Sequence, residues 1–288
     1  MSQAPPAITP HTPAALTIAG SDSGAGAGIQ ADLKTFAACG IYGASVVTAI
    51  TAQNTLGVQK LWMVPGSSLQ AQLSSVLADM PIAAVKTGLL GNGGTLRIVS
   101  EALRFHARQH APLPLVVDTV LASSSGHPLL APGALPVLRD QLIPQACVIT
   151  PNIYEAALLL DEPAAQTLAQ AQQQAIRLLT LGPQAVLLTG GHLEGDQAVD
   201  IYCDAQEIFQ LTSERVSTRN SHGTGCTLSA AICAYLTLGE RPASACRKAK
   251  DYLQRALLAG VRLNLGAGTG PLNHFPDSVK HCSTQETL

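Results

Sequence analysis

Between Asn220 and Leu236 the chain reads NSHGTGCTLSAAICAYL. Gly223 and Gly225 flank Thr224 and lead into Cys226, after which Leu228, Ala231, Ile232 and Tyr235 recur at helical spacing. Glycines this close let the backbone turn tightly and point successive N–H groups one way. The helix behind them adds unpaired N-terminal donors and the positive end of its dipole. Such a turn suits an anion, phosphate above all, with a thiol at the rim; it equally suits a plain loop-to-helix junction.

Other residues carry two readings each. In TPNIYE, Asn152 and Glu155 have the spacing of a helix capping box, and Glu155 could also organise a magnesium ion beside a triphosphate. Asp118 closes an apolar run, which fits either a metal- or phosphate-linked role or loop capping. Lys86, at the end of another apolar run, is a site residue or a snorkelling surface charge. His222 reads as a loop hydrogen-bonder. No G-x-x-x-x-G-K-[ST] phosphate loop is present. Gly26 to Ala31 fits the loose dinucleotide pattern G-x-G-x-x-A, but no Asp or Glu occurs from Thr35 to Ala78 to bind a ribose, which argues against a dinucleotide.

The elements that must position these residues alternate. Strands are expected at 15–19, 42–50, 58–64, 82–86, 115–120, 147–150 and 185–188, and helices at 29–39, 95–107, 134–142, 153–160 and 166–181. A helix capped by Ser67 or Ser68 follows the third strand, and Gly40 stops the first helix. Residues 198–203 and 207–211 read as a hairpin, and helices after Cys226 and over 242–259 close the fold. This alternation predicts an α/β fold, a mostly parallel sheet covered by helices on both faces, with ligands beyond the carboxyl ends of the strands. Residues 15–276 are expected to form one domain, between an N-terminal tail over 1–14 and a C-terminal tail over 277–288.

With 47% apolar and 12% charged residues, the chain is mostly interior, and a net charge of −2 with 3% aromatics argues against nucleic-acid binding. Seven scattered cysteines without a C-x-x-C pair suggest a reducing compartment rather than a disulfide framework. No signal-peptide pattern or membrane-spanning run is visible, so a cytoplasmic location is expected, with no membrane partner.

Eight strings in register resemble the hydroxymethylpyrimidine/phosphomethylpyrimidine kinases of the ribokinase superfamily: LTIAGSDSGAGAGIQADLKTF, VTAITAQNT, VKTGLL, VVDTV with SGHPLL, ITPNIYEAALLL, VLLTGGH, NSHGTGCTLSAA and GPLNHF. The resemblance implies a three-layer α/β/α ribokinase-like fold. It also implies two successive ATP- and Mg2+-dependent phosphorylations of a small pyrimidine in thiamine diphosphate biosynthesis. It assigns Gly223, Thr224, Gly225 and Cys226 to the catalytic anion hole, and Gln53, Asp32 and Gly20 to the pyrimidine. Asn152, Glu155, Lys86 and Thr189 fall on the nucleotide side, Glu155 and Asp118 with the metal. A homodimer is expected by analogy. Thr189 and Ser124 stand where relatives often have Lys, and His127 where Asp is common. A helix N-terminus is expected to lower the Cys226 pKa and favour a thiolate base in the first transfer. Rival readings are a pyridoxal/pyridoxine kinase of the same fold and a non-catalytic pyrimidine sensor.

Overall fold

The computed structural model describes residues 12–123, 126, 128–191 and 195–277; Ser124 and His127 lie outside them. Nine strands form one sheet: β1 (Ala14–Ser21), β2 (Tyr42–Asn54), β3 (Gly57–Met63), β4 (Ile82–Thr87), β5 (Leu115–Val117), β6 (Val148–Ile149), β7 (Ala185–Leu188), β8 (Gln197–Asp204) and β9 (Ile208–Glu214). Their order is β3-β2-β1-β4-β5-β6-β7-β8-β9. The strands from β2 across to β7 run parallel, while β3 at one edge and β8 and β9 at the other are antiparallel.

Period-two alternation divides the apolar side chains between two cores. Leu16, Ile18, Val85, Val117, Ile149 and Val186 face one side. There they meet α2 (Gly66–Asp79), α3 (Gly93–Gln109), α5 (Ile153–Leu160) and α6 (Leu168–Leu179), together with the short α4 (Leu135–Val137). Ala15, Ala84, Val116, Val148, Ala185 and Leu187 face the other side, against α1 (Gly28–Ala38), α7 (Thr224–Thr237) and α8 (Pro242–Gly260). The small residues on that face suit close approach of a helix. Helix α7 is apolar nearly all round, and Ala230, Ala231, Cys233 and Ala234 are wholly buried, so it lies against the middle of the sheet. The result is the expected three-layer α/β/α arrangement.

Local departures from the sequence expectations have plain causes. Helix α2 starts at Gly66 after Pro65, with no side-chain cap, so Ser67 and Ser68 lie inside its first turn. Strand β5 stops at Val117, which leaves Asp118 just beyond it. Strand β2 runs on to Asn54 and carries Gln53 at its end. The segment expected as helix over 134–142 is a single α turn that widens into a π turn, Leu138–Leu142, and then tightens to a 3-10 turn over Ile143–Gln145, where Pro144 lacks the amide an α-helix needs.

Candidate functional site

In the sheet, β1 connects outward to β2 on one side while β4 lies on the other, so a crevice opens at the carboxyl ends of β1 and β4. The N-terminus of α7 comes down on this crevice. Its leading turn interlocks with the loop after β1. Gly223 has φ +86°, and a Cβ there would lie 1.9 Å from the carbonyl oxygen of Gly26. Gly28 has φ +59°, and a Cβ there would lie 2.4 Å from the carbonyl oxygen of Gly20. Only glycine fits either place. Gly225 differs: a Cβ would meet nothing within 4 Å, and the residue is exposed. The mouth of the helix is open there.

Asp22 organises the β1 loop. Its carboxylate accepts the N–H groups of Gly24 at 2.8 Å, Gly26 at 3.1 Å and Ala27 at 2.9 Å, and lies 2.9 Å from His222 Nε2. Burial alone would raise its pKa, but the hydrogen bonds from His222 and the backbone outweigh burial and hold it below the ordinary carboxylate value.

Beneath the turn lies a buried charged cluster. Lys86 Nζ is 2.9 Å from both carboxylate oxygens of Asp32, and Thr17 Oγ1 donates to Asp32 Oδ2 at 2.6 Å. Asp118 Oδ2 is 3.8 Å from Lys86 Nζ and accepts from Ser229 Oγ at 3.0 Å. Burial works against the Lys86 charge, but Asp32, then Cys226 and Asp118, keep the amine protonated. The Cys226 thiol sits near enough to Asp118, Lys86 and the Gly28 N–H for all three to bear on its ionisation. Burial pushes its pKa up to about 12, which Lys86 offsets only in part. The expectation of a lowered thiol pKa is therefore corrected: removal of water and the carboxylates of Asp118 and Asp32 outweigh the helix terminus. Asp118 is itself raised, chiefly by burial.

On the far side, Asn152 caps α5 and Glu155 completes a capping box with it. The other duty of Glu155 is to hold the loop after β5, accepting from Thr119 Oγ1 at 3.0 Å. Its pKa is pushed up to about 8, first by burial and then by Asp118. A cation nearby would relieve that cost. Among the described residues no three His, Cys, Asp or Glu cluster as a metal cage. A single carboxylate with its charge unrelieved is chemically suited to a magnesium ion that would take its other ligands from waters and phosphate oxygens. Thr189, just past β7, pairs with Asn152 as an isolated bridge, and its N–H donates to the Pro151 carbonyl at 2.8 Å. The hydroxyls of Thr87 and Thr150, at the ends of β4 and β6, are buried without a hydrogen-bond partner.

Comparison with known proteins places this arrangement. The family model described as "Phosphomethylpyrimidine kinase" matches residues 22–273. The chain belongs to the phosphomethylpyrimidine kinase family. It is 46% identical over 264 residues to the hydroxymethylpyrimidine/phosphomethylpyrimidine kinase of Rhizobium meliloti, covering 92% of this chain and 97% of that one. Among solved structures, phosphomethylpyrimidine kinase from Clostridium difficile 630 is similar with a TM-score of 0.73 and 41% identity, covering 84% of this chain and 98% of that one. An ADP complex of Bacillus subtilis pyridoxal kinase is similar with a TM-score of 0.84 and 34% identity, covering 92% of this chain and 98% of that one.

In this kinase the structure brings together Gly20, Asp32, Lys86, Asp118 and the turn from Gly223 to Cys226. Asn152, Glu155 and Thr189 form a second group at the ends of β6 and β7, joined to the first through Asp118 and Thr119. Gln53 stands at the other rim, by His222. Asp32 is wholly buried with both oxygens engaged, so it backs the site rather than lining it. Lys86 does not snorkel; it too is wholly buried. Sequence reasoning missed Asp22, Thr17 and Ser229. Asp22 had a signal, since an Asp just ahead of a Gly-rich loop is suited to accept its backbone N–H groups. Thr17 and Ser229 had none beyond lying on strand and helix faces.

Proposed function

We propose that the chain is an ATP-dependent kinase that phosphorylates 4-amino-5-hydroxymethyl-2-methylpyrimidine to its monophosphate and then to its diphosphate, in thiamine diphosphate biosynthesis. The observation that carries this reading is the open Gly225 mouth of α7 above the buried Lys86–Asp32–Asp118 cluster, with Cys226 between them.

Catalysis in this reading is positioning and charge stabilisation. The backbone N–H groups from Gly223 to Cys226 receive the oxygens of the transferring phosphoryl group, and Lys86 adds positive charge from below. Gln53 and the backbone at Gly20 hold the pyrimidine. In the first transfer the substrate hydroxyl must lose a proton as its oxygen bonds to phosphorus. The neutral Cys226 thiol takes that proton on sulfur while its own proton passes to Asp118, whose raised pKa suits it as acceptor. In the second transfer the attacking phosphate oxygen is already ionised, and no such relay is required. Bound with ATP, magnesium would supply neutralisation of the triphosphate charge; Glu155 would be the carboxylate that holds it, with Asp118 adjoining, and Asn152 and Thr189 would flank the nucleotide.

Residues 15–276 act as one kinase domain in this reading, flanked by 1–14 and 277–288, in a cytoplasmic protein. Among the described residues no helix is long and apolar enough to cross a membrane. A homodimer is supported by the exposed apolar pair Ile50 and Trp62, which face each other across β2 and the edge strand β3.

A second reading, pyridoxal kinase, is favoured by the likeness to the Bacillus subtilis structure. Phosphate-transfer assays with hydroxymethylpyrimidine, its monophosphate and pyridoxal separate the two. Turnover of the monophosphate supports two-step pyrimidine phosphorylation, turnover of pyridoxal alone supports the second reading, and binding without any turnover supports a sensor.

A further inference from the structure

Three segments far apart in the chain meet at one ring nitrogen. His222 Nε2 lies 2.9 Å from Asp22 Oδ2 and 3.2 Å from the Nε2 position of Gln53. One nitrogen cannot satisfy both partners in that arrangement. Towards a carboxylate it must carry a proton, and towards an amide N–H it must be bare. Asp22 decides the matter. Its carboxylate already accepts three backbone N–H groups, so it is ionised and only accepts. His222 Nε2 therefore carries its one hydrogen, given mainly to Asp22 and shared with Gln53 as a three-centre bond, and the amide of Gln53 turns its carbonyl oxygen towards it, since the two ends of an amide are assigned by their partners.

The other end of the amide agrees. Thr51 Oγ1 lies 3.3 Å from it and 2.9 Å from the carbonyl oxygen of Ser21. The threonine has one proton, the Ser21 carbonyl can only accept, and the remaining hydroxyl lone pairs accept the Gln53 NH2. The chain of donors then runs one way from His222 to Gln53, Thr51 and Ser21, with Asp22 anchoring its start. The anchor is rigid. A Cβ on Gly26 would lie 2.5 Å from His222 Cδ2, so the ring packs on that glycine, and the His222 backbone N–H donates to the Gly270 carbonyl at 3.0 Å.

We propose that Asp22 and His222 are positioning residues that fix the Gln53 amide in one orientation and so set the ring specificity of the site. The fixed amide keeps one N–H and one carbonyl lone pair for the ligand. Together they match a ring nitrogen with an amino group on the adjacent carbon, the edge a 4-aminopyrimidine carries. A hydroxypyridine aldehyde has no such pair. This inference rests on the functional reading that Gln53 meets the pyrimidine.

The test uses the whole chain, with His222→Ala, His222→Gln and Gln53→Ala. Steady-state constants are measured for hydroxymethylpyrimidine, pyridoxal and ATP, and 15N shifts of the His222 ring are recorded without ligand. The expected result is Nε2–H in the wild type and a rise of about tenfold or more in the KM for hydroxymethylpyrimidine in His222→Ala. kcat and the KM for ATP should stay within about twofold. His222→Gln, which restores an N–H donor, should recover part of the loss, and preference over pyridoxal should fall in His222→Ala. A bare Nε2, or a KM for ATP that rises in parallel, overturns the inference. Loss in Gln53→Ala without loss in His222→Ala overturns it and leaves the functional reading standing; no loss in Gln53→Ala overturns both.

Discussion

Lys86 Nζ stands 2.9 Å from each carboxylate oxygen of Asp32, and neither side chain is open to water. Removing one partner leaves the other charge buried and alone. Lys86→Ala or Asp32→Ala should therefore cost about 3–5 kcal/mol of stability in denaturant titrations. The double variant Lys86→Met/Asp32→Leu should recover most of it while kinase activity stays lost, since Asp118 and Cys226 then face no cation. Recovered activity in the double variant would remove Lys86 from the site.

Gly223 and Gly225 make a contrasting pair. Gly223→Ala forces a Cβ into the Gly26 carbonyl at a positive φ, so it should disrupt the interlocked loops and lower kcat/KM by about a hundredfold or more. Gly225→Ala meets nothing and lies in the first turn of a helix, where Ala is the better former. It should melt at or slightly above the wild-type temperature and still bind ATP more weakly, because the methyl group enters the open mouth. Calorimetry of ATP binding beside a thermal melt checks both.

With its pKa pushed up to about 12, the Cys226 thiol is protonated at neutral pH in the ligand-free protein. Iodoacetamide at pH 7.5 should modify it at least about tenfold more slowly than a free cysteine, as followed by mass spectrometry of the labelled peptide. Cys226→Ala should slow the first phosphorylation more than the second. Equal losses on the two substrates would remove the proton relay from the mechanism.

Two buried groups set opposite pH slopes. His274 is drawn down to about 4, chiefly by burial and then by Lys34, from an ordinary 6.5. The folded state binds fewer protons there, so its contribution is complete above 6.5 and is lost as pH falls towards 4. Glu155 is raised from 4.5 to about 8, so the folded state binds more protons and stability declines as pH rises from 4.5 through 8. Between about 6.5 and 8 only the second slope remains of these two. Melting temperatures of the protein in chelator should fall across that window, and Glu155→Gln should flatten the fall.

What was legible in the sequence was local. The bounds of α5 coincide with expectation because its start is written in four residues, Asn152 to Glu155, and β7 because a glycine pair follows it. The glycine turn ahead of α7 was legible as well, but the helix begins at Thr224 rather than after Cys226, so only Gly223 lies outside it. What was not legible was orientation and pairing across the chain. Lys86 could point to water or inward until β4 had a register, and pairing of Lys86 with Thr17 on β1 sets it beside Asp32. The resemblance placed Asp32 near the ring, whereas its helix face turns it under the site. The thiol pKa was misjudged because a helix terminus is visible in a sequence and burial among carboxylates is not.

The hydrogen bond between His222 and Asp22 joins residues 200 positions apart, and the His222 backbone is held in turn by Gly270 and Pro271. A nascent chain that has formed β1 and its loop can satisfy Asp22 with the N–H groups of that loop, but Asp22 lacks its His222 partner until the chain has been made past Gly270. The rim between Gln53 and His222 matures last, and a chain interrupted before Gly270 would leave the ribosome with its sheet largely built and that rim unformed.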